Sequence, residues 1–320
     1  MKVALSGGTG FIGANLVRAL LQRGAEVHLL NRAEAATWRI AAIGSDVTQH
    51  VVDLGDVTSV RGVLRTIGPE VVFHLAQFGG YPWQAGLDQM IATNYSAGIN
   101  LLQAAARAGA RLFVNTGSSS EYGPKPYPTC ETTVLEPNSD YAATKAAFTL
   151  HCQQWARREN RAAPTLRLYS VYGPYEEPGR LIPRLVSLGL EGRLPPLAAA
   201  DTARDFVFVG DVVEAYLRVL DVALSDPGAI YNICSGRQMT LRATVDAARS
   251  VLSIASEPRW NAMAPRSWDT NVWVGDPARA ATELGWRAAT TLEAGLGEFA
   301  DWLVREPGMQ EHYRRARGSD

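Results

Sequence analysis

The sequence predicts an α/β fold, a doubly wound parallel sheet covered by helices. Short apolar runs typical of buried strands alternate with helical patterns through the first half of the chain. The first strand, Lys2 to Ser6, leads at once into a glycine-rich turn and then a helical pattern from Ala14 to Leu21. Hydrophobic residues fill 47% of the 320 positions, which is enough for a sizeable core.

The glycine-rich turn has the spacing G-x-x-G-x-x-G over Gly7-Gly8-Thr9-Gly10-Phe11-Ile12-Gly13. Gly7 allows a tight turn, Gly10 lets the backbone approach a pyrophosphate, and Gly13 lets the helix close on the sheet. The helix N-terminus adds unpaired N–H groups and a positive dipole end. The turn therefore predicts a dinucleotide site, and the strand before it and helix after it disfavour a purely structural turn.

The second strand, Ala25 to Leu30, ends at Asn31 and Arg32. In a dinucleotide fold this strand tip meets the adenosine ribose, where an acid accepts the 2′-hydroxyl of NAD and an arginine can pair a 2′-phosphate. Asn31 and Arg32 therefore favour NADP over NAD.

Three further strands complete the predicted parallel sheet. They are expected at 51–54, 71–76 and 111–116, with helices at 58–66 and 83–108 between them. His74 lies inside an apolar strand, which favours a core histidine over a catalytic one. Ser118, Ser119 and Ser120 follow the fifth strand, at the carboxyl end where such sheets bind ligands.

A helix from Tyr141 to about Arg158 places Tyr141 and Lys145 one turn apart on the same face. A lysine ammonium beside a phenol favours the phenolate, which helps the tyrosine exchange a proton with a substrate hydroxyl or carbonyl. The Y-x-x-x-K spacing taken alone also occurs on ordinary exposed helix faces.

The charge balance and the cysteine content limit the classes of partner and environment that this chain is expected to have. With 31 Lys and Arg against 32 Asp and Glu, nothing indicates binding to nucleic acid or to a membrane surface. The three cysteines, Cys130, Cys152 and Cys234, form no C-x-x-C pair, so we expect no disulfide framework, no metal site and a reducing cytoplasm. The chain starts directly with a strand and has no long apolar stretch, so neither secretion nor membrane insertion is expected.

In their order along the chain, these motifs resemble the extended short-chain dehydrogenase/reductases, in the branch of nucleotide-sugar epimerases and dehydratases. The matching segments are the glycine turn, Asp53-Leu54, His74-Leu75-Ala76, Asn94, the Ser118 loop and Tyr141-x-x-x-Lys145. The resemblance implies a Rossmann domain with Ser118, Tyr141 and Lys145 as catalytic residues. It implies a cofactor site formed by Gly7, Gly10, Phe11, Ile12, Gly13, Asn31, Arg32, Asp53, Leu54, Leu75, Ala76, Asn94, Tyr141 and Lys145.

The resemblance continues to the end of the chain through segments at 167–174, 204–212, 231–236 and 284–286. Ser170 stands where the family usually has asparagine. We interpret residues 1–174 as the dinucleotide-binding domain and 175–320 mainly as a smaller substrate-binding lobe, with the chain crossing back to the first domain. Arginines in this lobe are candidates for holding a diphosphate, because a guanidinium can donate two parallel hydrogen bonds to phosphate oxygens. The predicted substrate contacts are Ser119, Ser120, Ser170, Arg180, Arg204 and Arg266.

The expected substrate is therefore a nucleotide-diphosphate sugar that reacts at C4. Dehydration across C5 and C6 would need an acid and a base directly after Ser118, where Ser119 and Ser120 stand, and Glu121 is expected to point away if the segment stays extended. The sequence favours reduction of a nucleotide-linked 4-keto-6-deoxyhexose, with 4-epimerisation as the alternative and a 4,6-dehydratase or a non-catalytic regulator less favoured.

The resemblance also implies a homodimer. Family members commonly pair through the helix after the fourth strand and the helix that carries Tyr141. Apolar residues at Ala142, Ala146, Phe148 and Leu150 exceed what one buried helix face requires, which gives this expectation partial support.

Overall fold

The computed structural model describes residues 1–81, 83–263 and 270–316, so the predicted contact Arg266 lies outside the described residues. The strands are β1 (Lys2–Ser6), β2 (Glu26–Asn31), β3 (Thr48–Val51), β4 (Val71–His74), β5 (Leu112–Ser118), β6 (Thr165–Leu168), β7 (Ser170–Tyr172), β8 (Ala203–Arg204), β9 (Phe206–Phe208), β10 (Ile230–Ile233) and β11 (Met239–Thr240).

The helices are α1 (Phe11–Gln22), α2 (Val57–Ile67), α3 (Leu87–Ile91), α4 (Ala97–Arg107), α5 (Asp140–Glu159), α6 (Leu181–Gly189), α7 (Val209–Asp221), α8 (Leu241–Leu252), α9 (Ala278–Glu283), α10 (Leu292–Arg305) and α11 (Pro307–Ala316). Short 3₁₀ segments cover Trp38–Asp46 and Ser119–Tyr122, and a π-helical turn covers Ala92–Ser96.

A seven-stranded parallel sheet lies at the centre, with the order β10-β6-β5-β4-β1-β2-β3. The prediction of a doubly wound α/β fold is confirmed. The strand order reverses between β1 and β4, and in such sheets the crevice outside the carboxyl ends at that reversal binds the ligand. The glycine turn after β1 therefore lies at the expected binding position.

Apolar clusters cover both faces of the sheet. One contains Leu16 of α1 and Val212 of α7, and the other contains Leu64 of α2 and Leu101 of α4. A third cluster lies in the second half of the chain among α6, α8 and α10. The second half also contributes β10 to the main sheet and α7 to its face, while β8 pairs with β11 and β7 with β9 in two small sheets.

Several predicted elements differ from the observed ones in their limits, and two of these differences have a side-chain cause. The strand expected at 51–54 ends at Val51, because the Asp53 carboxylate accepts the Gly55 N–H at 2.8 Å and turns the chain. The helix expected at 83–108 is interrupted by the π-helical turn. There the amide of Asn94 bonds to both the N–H and the carbonyl of Phe78, at 2.8 Å each, and ties the helix to the loop after β4.

Most of the apolar residues of α5 are buried inside the chain itself. Ala142, Ala146 and Phe148 are buried against the sheet and neighbouring helices, whereas Leu150 is 50% exposed. The first three residues are therefore not available for a dimer interface, because α5 buries more than one narrow stripe within the chain. Of the four residues that supported the dimer, only Leu150 is left exposed. In the part of the chain that the structure describes, no helix is both long and apolar enough to span a bilayer.

Candidate functional site

The turn after β1 has the close packing that its glycines predict. Gly7 has a φ of +73°, and a Cβ there would lie 2.5 Å from the backbone nitrogen of Ala76 after β4. A Cβ on Gly13 would overlap the carbonyl oxygen of Gly7. Gly7 therefore lets the turn approach the loop after β4, and Gly13 lets α1 close on the turn, at the reversal point of the sheet.

Gly10 is different, because a Cβ there would meet only the carbonyl oxygen of Gly7, at 3.2 Å. Gly10 caps α1, and its own N–H donates to the Gly7 carbonyl at 3.0 Å. The N–H groups of the first helical turn, from Phe11 to Gly13, have no acceptor within the helix and face the end of its axis. This open cradle fits a pyrophosphate.

The tip of β2 presents Asn31 and Arg32 beside the turn. Asn31 is buried and donates to the Gln49 side chain at 3.1 Å, whereas Arg32 is exposed. Asp53 and Leu54 follow β3, next to β2 in the sheet, with Asp53 exposed and Leu54 half-buried. Asn94 is buried, and its described hydrogen bonds go to Phe78 and to Thr144. It holds the loop that contains Leu75 and Ala76.

Ser118 ends β5, and the chain then turns into a short 3₁₀ helix instead of staying extended. The hydroxyl oxygen of Ser118 accepts the N–H of Ser120 at 3.2 Å, which leaves its own proton for another acceptor. The N–H of Ser118 donates to the Glu121 carboxylate at 2.8 Å. We expected Glu121 to point away on the premise that this segment stays extended. That premise was wrong, because the segment forms a turn and the turn directs Glu121 into the core.

Tyr141 and Lys145 lie in the first turns of α5, which Ser139 caps by accepting the N–H of Ala142 at 3.2 Å. Lys145 is buried and donates to the carbonyl of Thr116 in β5 at 2.5 Å. The hydroxyl of Tyr141 donates to the side-chain oxygen of Gln77 at 2.6 Å. The helix thus brings both side chains to the carboxyl end of β5.

The environment sets the protonation of this pair. Burial raises the pKa of Tyr141 to about 12, and the nearby Ser118 hydroxyl and Arg180 guanidinium act in the opposite direction. Burial lowers the pKa of Lys145, and the carboxylate of Glu121 opposes that shift. Ser118 and Tyr141 are therefore direct neighbours, while Lys145 is fixed on the carbonyl of Thr116 in the same strand. The raised pKa keeps Tyr141 a neutral phenol.

Sequence reasoning missed a buried ion pair beneath the triad. Glu121 and Arg167 are at most 1% exposed, with 2.7 Å between Glu121 Oε2 and Arg167 Nε. Glu121 also accepts the Thr149 hydroxyl of α5 at 3.0 Å, and Arg167 donates to the Tyr122 hydroxyl at 2.9 Å. The available signal was an arginine inside the apolar strand β6, since such a charge needs a buried partner.

The predicted substrate contacts lie on several elements. Ser119 is buried and accepts the indole N–H of Trp273 at 3.2 Å, and Ser120 is partly exposed beside it. Ser170 begins β7, where its N–H donates to the Asp205 carbonyl at 3.0 Å. Arg204 lies in β8 and donates to the carbonyl of Ala203 at 2.6 Å.

Arg180 lies near Tyr141, and its charge acts to lower the pKa of that phenol. Its guanidinium is 6.0 Å from the centre of the Tyr81 ring, and its Nε is 3.7 Å from the carboxylate of Glu176. Burial raises the pKa of Glu176 to about 8, and Arg180 opposes the shift. Sequence reasoning did not identify Tyr81, which acts on Tyr141 only through the fold, or Glu176, which lies beside Arg180.

His74 is 1% exposed and lies against the Ser6 hydroxyl, with 2.6 Å from its Nδ1 to the serine oxygen. Burial, with the Lys145 charge nearby, lowers its pKa to about 3, so the ring stays neutral at physiological pH. The prediction of a core histidine is confirmed. Within the described residues, no group of His, Cys, Asp and Glu side chains is arranged to hold a metal ion.

Comparison with known proteins agrees with this geometry. The sequence profile of the NAD dependent epimerase/dehydratase family matches residues 3–234. The chain is 31% identical over 317 residues to the UDP-glucose 4-epimerase of Mycolicibacterium smegmatis. The alignment covers 95% of this chain and 98% of that protein. The chain belongs to the NAD dependent epimerase/dehydratase family.

Two solved structures of family members share the architecture. The UDP-glucose 4-epimerase of Thermus thermophilus in complex with NAD gives a TM-score of 0.81 at 29% identity, covering 98% of this chain and 99% of that one. The dTDP-glucose 4,6-dehydratase of Streptomyces venezuelae, crystallised with NAD bound, gives a TM-score of 0.86 at 28% identity. The match covers 98% of this chain and 100% of that one. The family resemblance and the expectation of a nucleotide-sugar oxidoreductase or epimerase are thus confirmed.

Gly10→Val tests the cofactor cradle of this family member. A valine fits the extended backbone at this position with a small shift of the Gly7 carbonyl, but its methyl groups occupy the space over the helix N-terminus. We expect binding of NAD and of NADP to weaken at least about tenfold, with the melting temperature nearly unchanged. Isothermal titration calorimetry with each dinucleotide measures the effect.

The matched control is Gly62→Val on α2, where no heavy atom outside the helix lies within 4 Å of a Cβ. This control should bind both dinucleotides like the unchanged protein. Equal dinucleotide affinity of the Gly10→Val variant and the unchanged protein would remove the turn from the cofactor site.

Proposed function

We propose that the protein reduces the C4 carbonyl of a nucleotide-linked 4-keto-6-deoxyhexose. The observation that carries this proposal is the placement of Ser118, Tyr141 and Lys145 at the carboxyl end of β5, with the Tyr141 hydroxyl free to donate its proton, above a Glu121 carboxylate bound to Arg167. Such a site has a proton donor for an alkoxide, and its nearest carboxylate already has buried partners.

The residues have separate roles in this reaction. Tyr141 donates its phenolic proton to the C4 oxygen as the carbonyl becomes an alcohol, and Ser118 donates a hydrogen bond to the same oxygen. Lys145, fixed on the Thr116 carbonyl, supplies positive charge that stabilises the phenolate left behind. When bound in the cradle after β1, the reduced nicotinamide cofactor supplies the hydride.

The structure supports reduction over dehydration. Removing water across C5 and C6 requires an acid and a base next to Ser118, and the hydroxyls of Ser119 and Ser120 are too weakly acidic and basic for that work. The carboxylate of Glu121 accepts hydrogen bonds from Arg167, Thr149 and the N–H of Ser118. Moving it toward a sugar would leave the buried Arg167 without its counter-ion.

The cofactor proposal is NADP, because Arg32 is exposed at the tip of β2 and no acid stands at the adjoining position of Asn31. A reductase consumes fresh reduced cofactor in every turnover, which suits this choice. The second candidate function is 4-epimerisation, in which a retained NAD removes and returns the same hydride. The 31% identical epimerase and the NAD in the solved neighbours favour that candidate.

The substrate side is proposed to hold the nucleotide diphosphate through Arg204 and Arg266, with Ser170 contributing a hydroxyl. The contacts of Arg180 with Tyr81 and Glu176 favour a place nearer the sugar for this arginine. A non-catalytic dinucleotide-binding regulator would have no use for an assembled Ser118, Tyr141 and Lys145, so we do not favour it.

An absorbance assay tests the reaction. The purified protein is given NADPH or NADH with a nucleotide-linked 4-keto-6-deoxyhexose, and loss of the reduced cofactor is followed. We expect one cofactor oxidised for each sugar reduced, with the lower KM for NADPH. Tyr141→Phe should lower kcat by about 10² to 10⁴ because the proton donor is lost.

The other outcomes separate the alternatives. Interconversion of 4-epimers without net loss of reduced cofactor would show an epimerase, and formation of a 4-keto-6-deoxy sugar from a plain nucleotide hexose would show a dehydratase. Either result contradicts the reductase proposal. Tighter binding of NADH than of NADPH, together with an unchanged ratio of the two affinities in Arg32→Ala, would contradict the role of Arg32 in cofactor choice.

We also propose a homodimer formed through α3 and α5. Leu87 and Ile91 on α3 are 47% and 41% exposed, and Leu150 on α5 is 50% exposed, although the two helices pack on each other. Three exposed apolar side chains on adjoining helices favour burial against a second copy. Light scattering should give twice the chain mass, and Leu150→Glu should shift it toward the monomer. A monomeric mass for the unchanged protein would contradict the proposal.

A further inference from the structure

We propose that Gln77 is a positioning residue that keeps Tyr141 protonated until the C4 oxygen of the substrate takes the place of the Gln77 amide oxygen. The inference rests on the proposed function only for the identity of the substrate oxygen. The contact itself is between two side chains of this protein, with the Tyr141 hydroxyl donating to Gln77 Oε1 at 2.6 Å.

The backbone that carries Gln77 is fixed on both sides. Ala76, the preceding residue, packs against Gly7, where no side chain would fit. Phe78, the following residue, has both its N–H and its carbonyl bonded to the amide of Asn94 at 2.8 Å. The Gln77 side chain therefore starts from a defined point at the reversal of the sheet.

The side chain is also limited at its far end. A Cβ on Gly80 would lie 2.9 Å from the amide nitrogen of Gln77, so the glycine leaves the room that this nitrogen occupies. With the nitrogen on the side of Gly80, the amide oxygen faces Tyr141. An amide oxygen can accept a proton from a neutral phenol but has nothing to donate to a phenolate, so the contact favours the protonated tyrosine.

The other groups that face Tyr141 come from several elements. Burial and the charges of Glu121 and Tyr81 raise its pKa, while the Ser118 hydroxyl and the Arg180 guanidinium lower it. Gln77 adds an uncharged acceptor directly on the reacting hydroxyl. This is useful in the reductive direction, because Tyr141 must enter the reaction as an acid.

The contact also implies competition with substrate. A phenol has one proton, so Tyr141 cannot donate to Gln77 and to the C4 oxygen in the same direction at once. The substrate oxygen must displace the amide oxygen, and the position of Gln77 Oε1 marks where the C4 oxygen binds. Removing the amide should therefore lower the pKa of Tyr141 and at the same time lower KM.

The test replaces Tyr141 with difluorotyrosine, whose phenol ionises at lower pH, and follows its ionisation by ¹⁹F NMR. No substrate is needed. In Gln77→Met, which keeps the side-chain length and loses the acceptor, the pKa of the fluorinated phenol should fall by about one unit. In Gln77→Glu, whose carboxylate can still accept and adds negative charge, it should rise.

The matched control is Gln84→Met in the same loop. Gln84 accepts the N–H groups of Gly79 and Tyr81, at 3.1 and 3.3 Å, and so supports the loop instead of contacting Tyr141. Its replacement should leave the phenol pKa unchanged. An unchanged pKa in Gln77→Met, or an equal fall in both variants, would overturn the inference.

Steady-state reduction supplies the second measurement. In Gln77→Met with the native tyrosine, the basic limb of the kcat/KM profile should move to lower pH by about one unit, and KM should fall. A higher KM without movement of the limb would also overturn the inference. Failure of the enzyme to reduce any 4-keto sugar, together with the expected ¹⁹F shifts, would refute the proposed function and leave the role of Gln77 intact.

Discussion

The site depends on the buried ion pair between Glu121 and Arg167. Arg167 lies in β6, where it is paired in register with Gly117 of β5 and Asn232 of β10. A guanidinium at this depth is tolerated only with a counter-ion and further hydrogen bonds, and removing one partner of such a pair costs about 3–5 kcal/mol. Glu121 supplies the counter-ion and, through it, sets the shape of the turn after β5.

The same carboxylate organises the two elements that carry the chemistry. It accepts the N–H of Ser118, which fixes the end of β5, and the hydroxyl of Thr149, which fixes α5 one turn beyond Lys145. Burial acts to lower the pKa of Arg167, but Glu121 and Tyr122 more than offset it, so the net shift is upward. Gly117 is required for this arrangement, because a Cβ there would lie 2.8 Å from Glu121 Oε1.

The parts of the site that the sequence predicted are local patterns. The glycine turn, and the spacing of Tyr141 and Lys145 on one helix face, are each specified within a few residues. The direction of Glu121 was not predictable in this way, since its partner Arg167 is 46 residues away. The contact of Tyr141 with Gln77 joins residues 64 positions apart and follows from how Asn94 and Gly7 fix the loop after β4.

The same limit explains the errors at element boundaries and on α5. Val51 ends β3 because Asp53 turns the chain onto Gly55, a side-chain bond that an apolar pattern does not record. Phe148 looked like a surplus apolar residue, yet its ring fills the space that Gly98 of α4 leaves open. Hydrophobic periodicity identifies a buried face, but only the packing partners decide how wide that face is.

The most direct test of the central claim is a crystal structure of the Tyr141→Phe variant with oxidised cofactor and a nucleotide-linked 6-deoxyhexose. The account predicts that Glu121 stays bonded to Arg167 and that the C4 oxygen lies within hydrogen-bonding distance of the Ser118 hydroxyl. A Glu121 carboxylate turned out of the core to contact C5 or C6 of the sugar would contradict the account. It would show that the buried pair is a resting form of a catalytic acid or base.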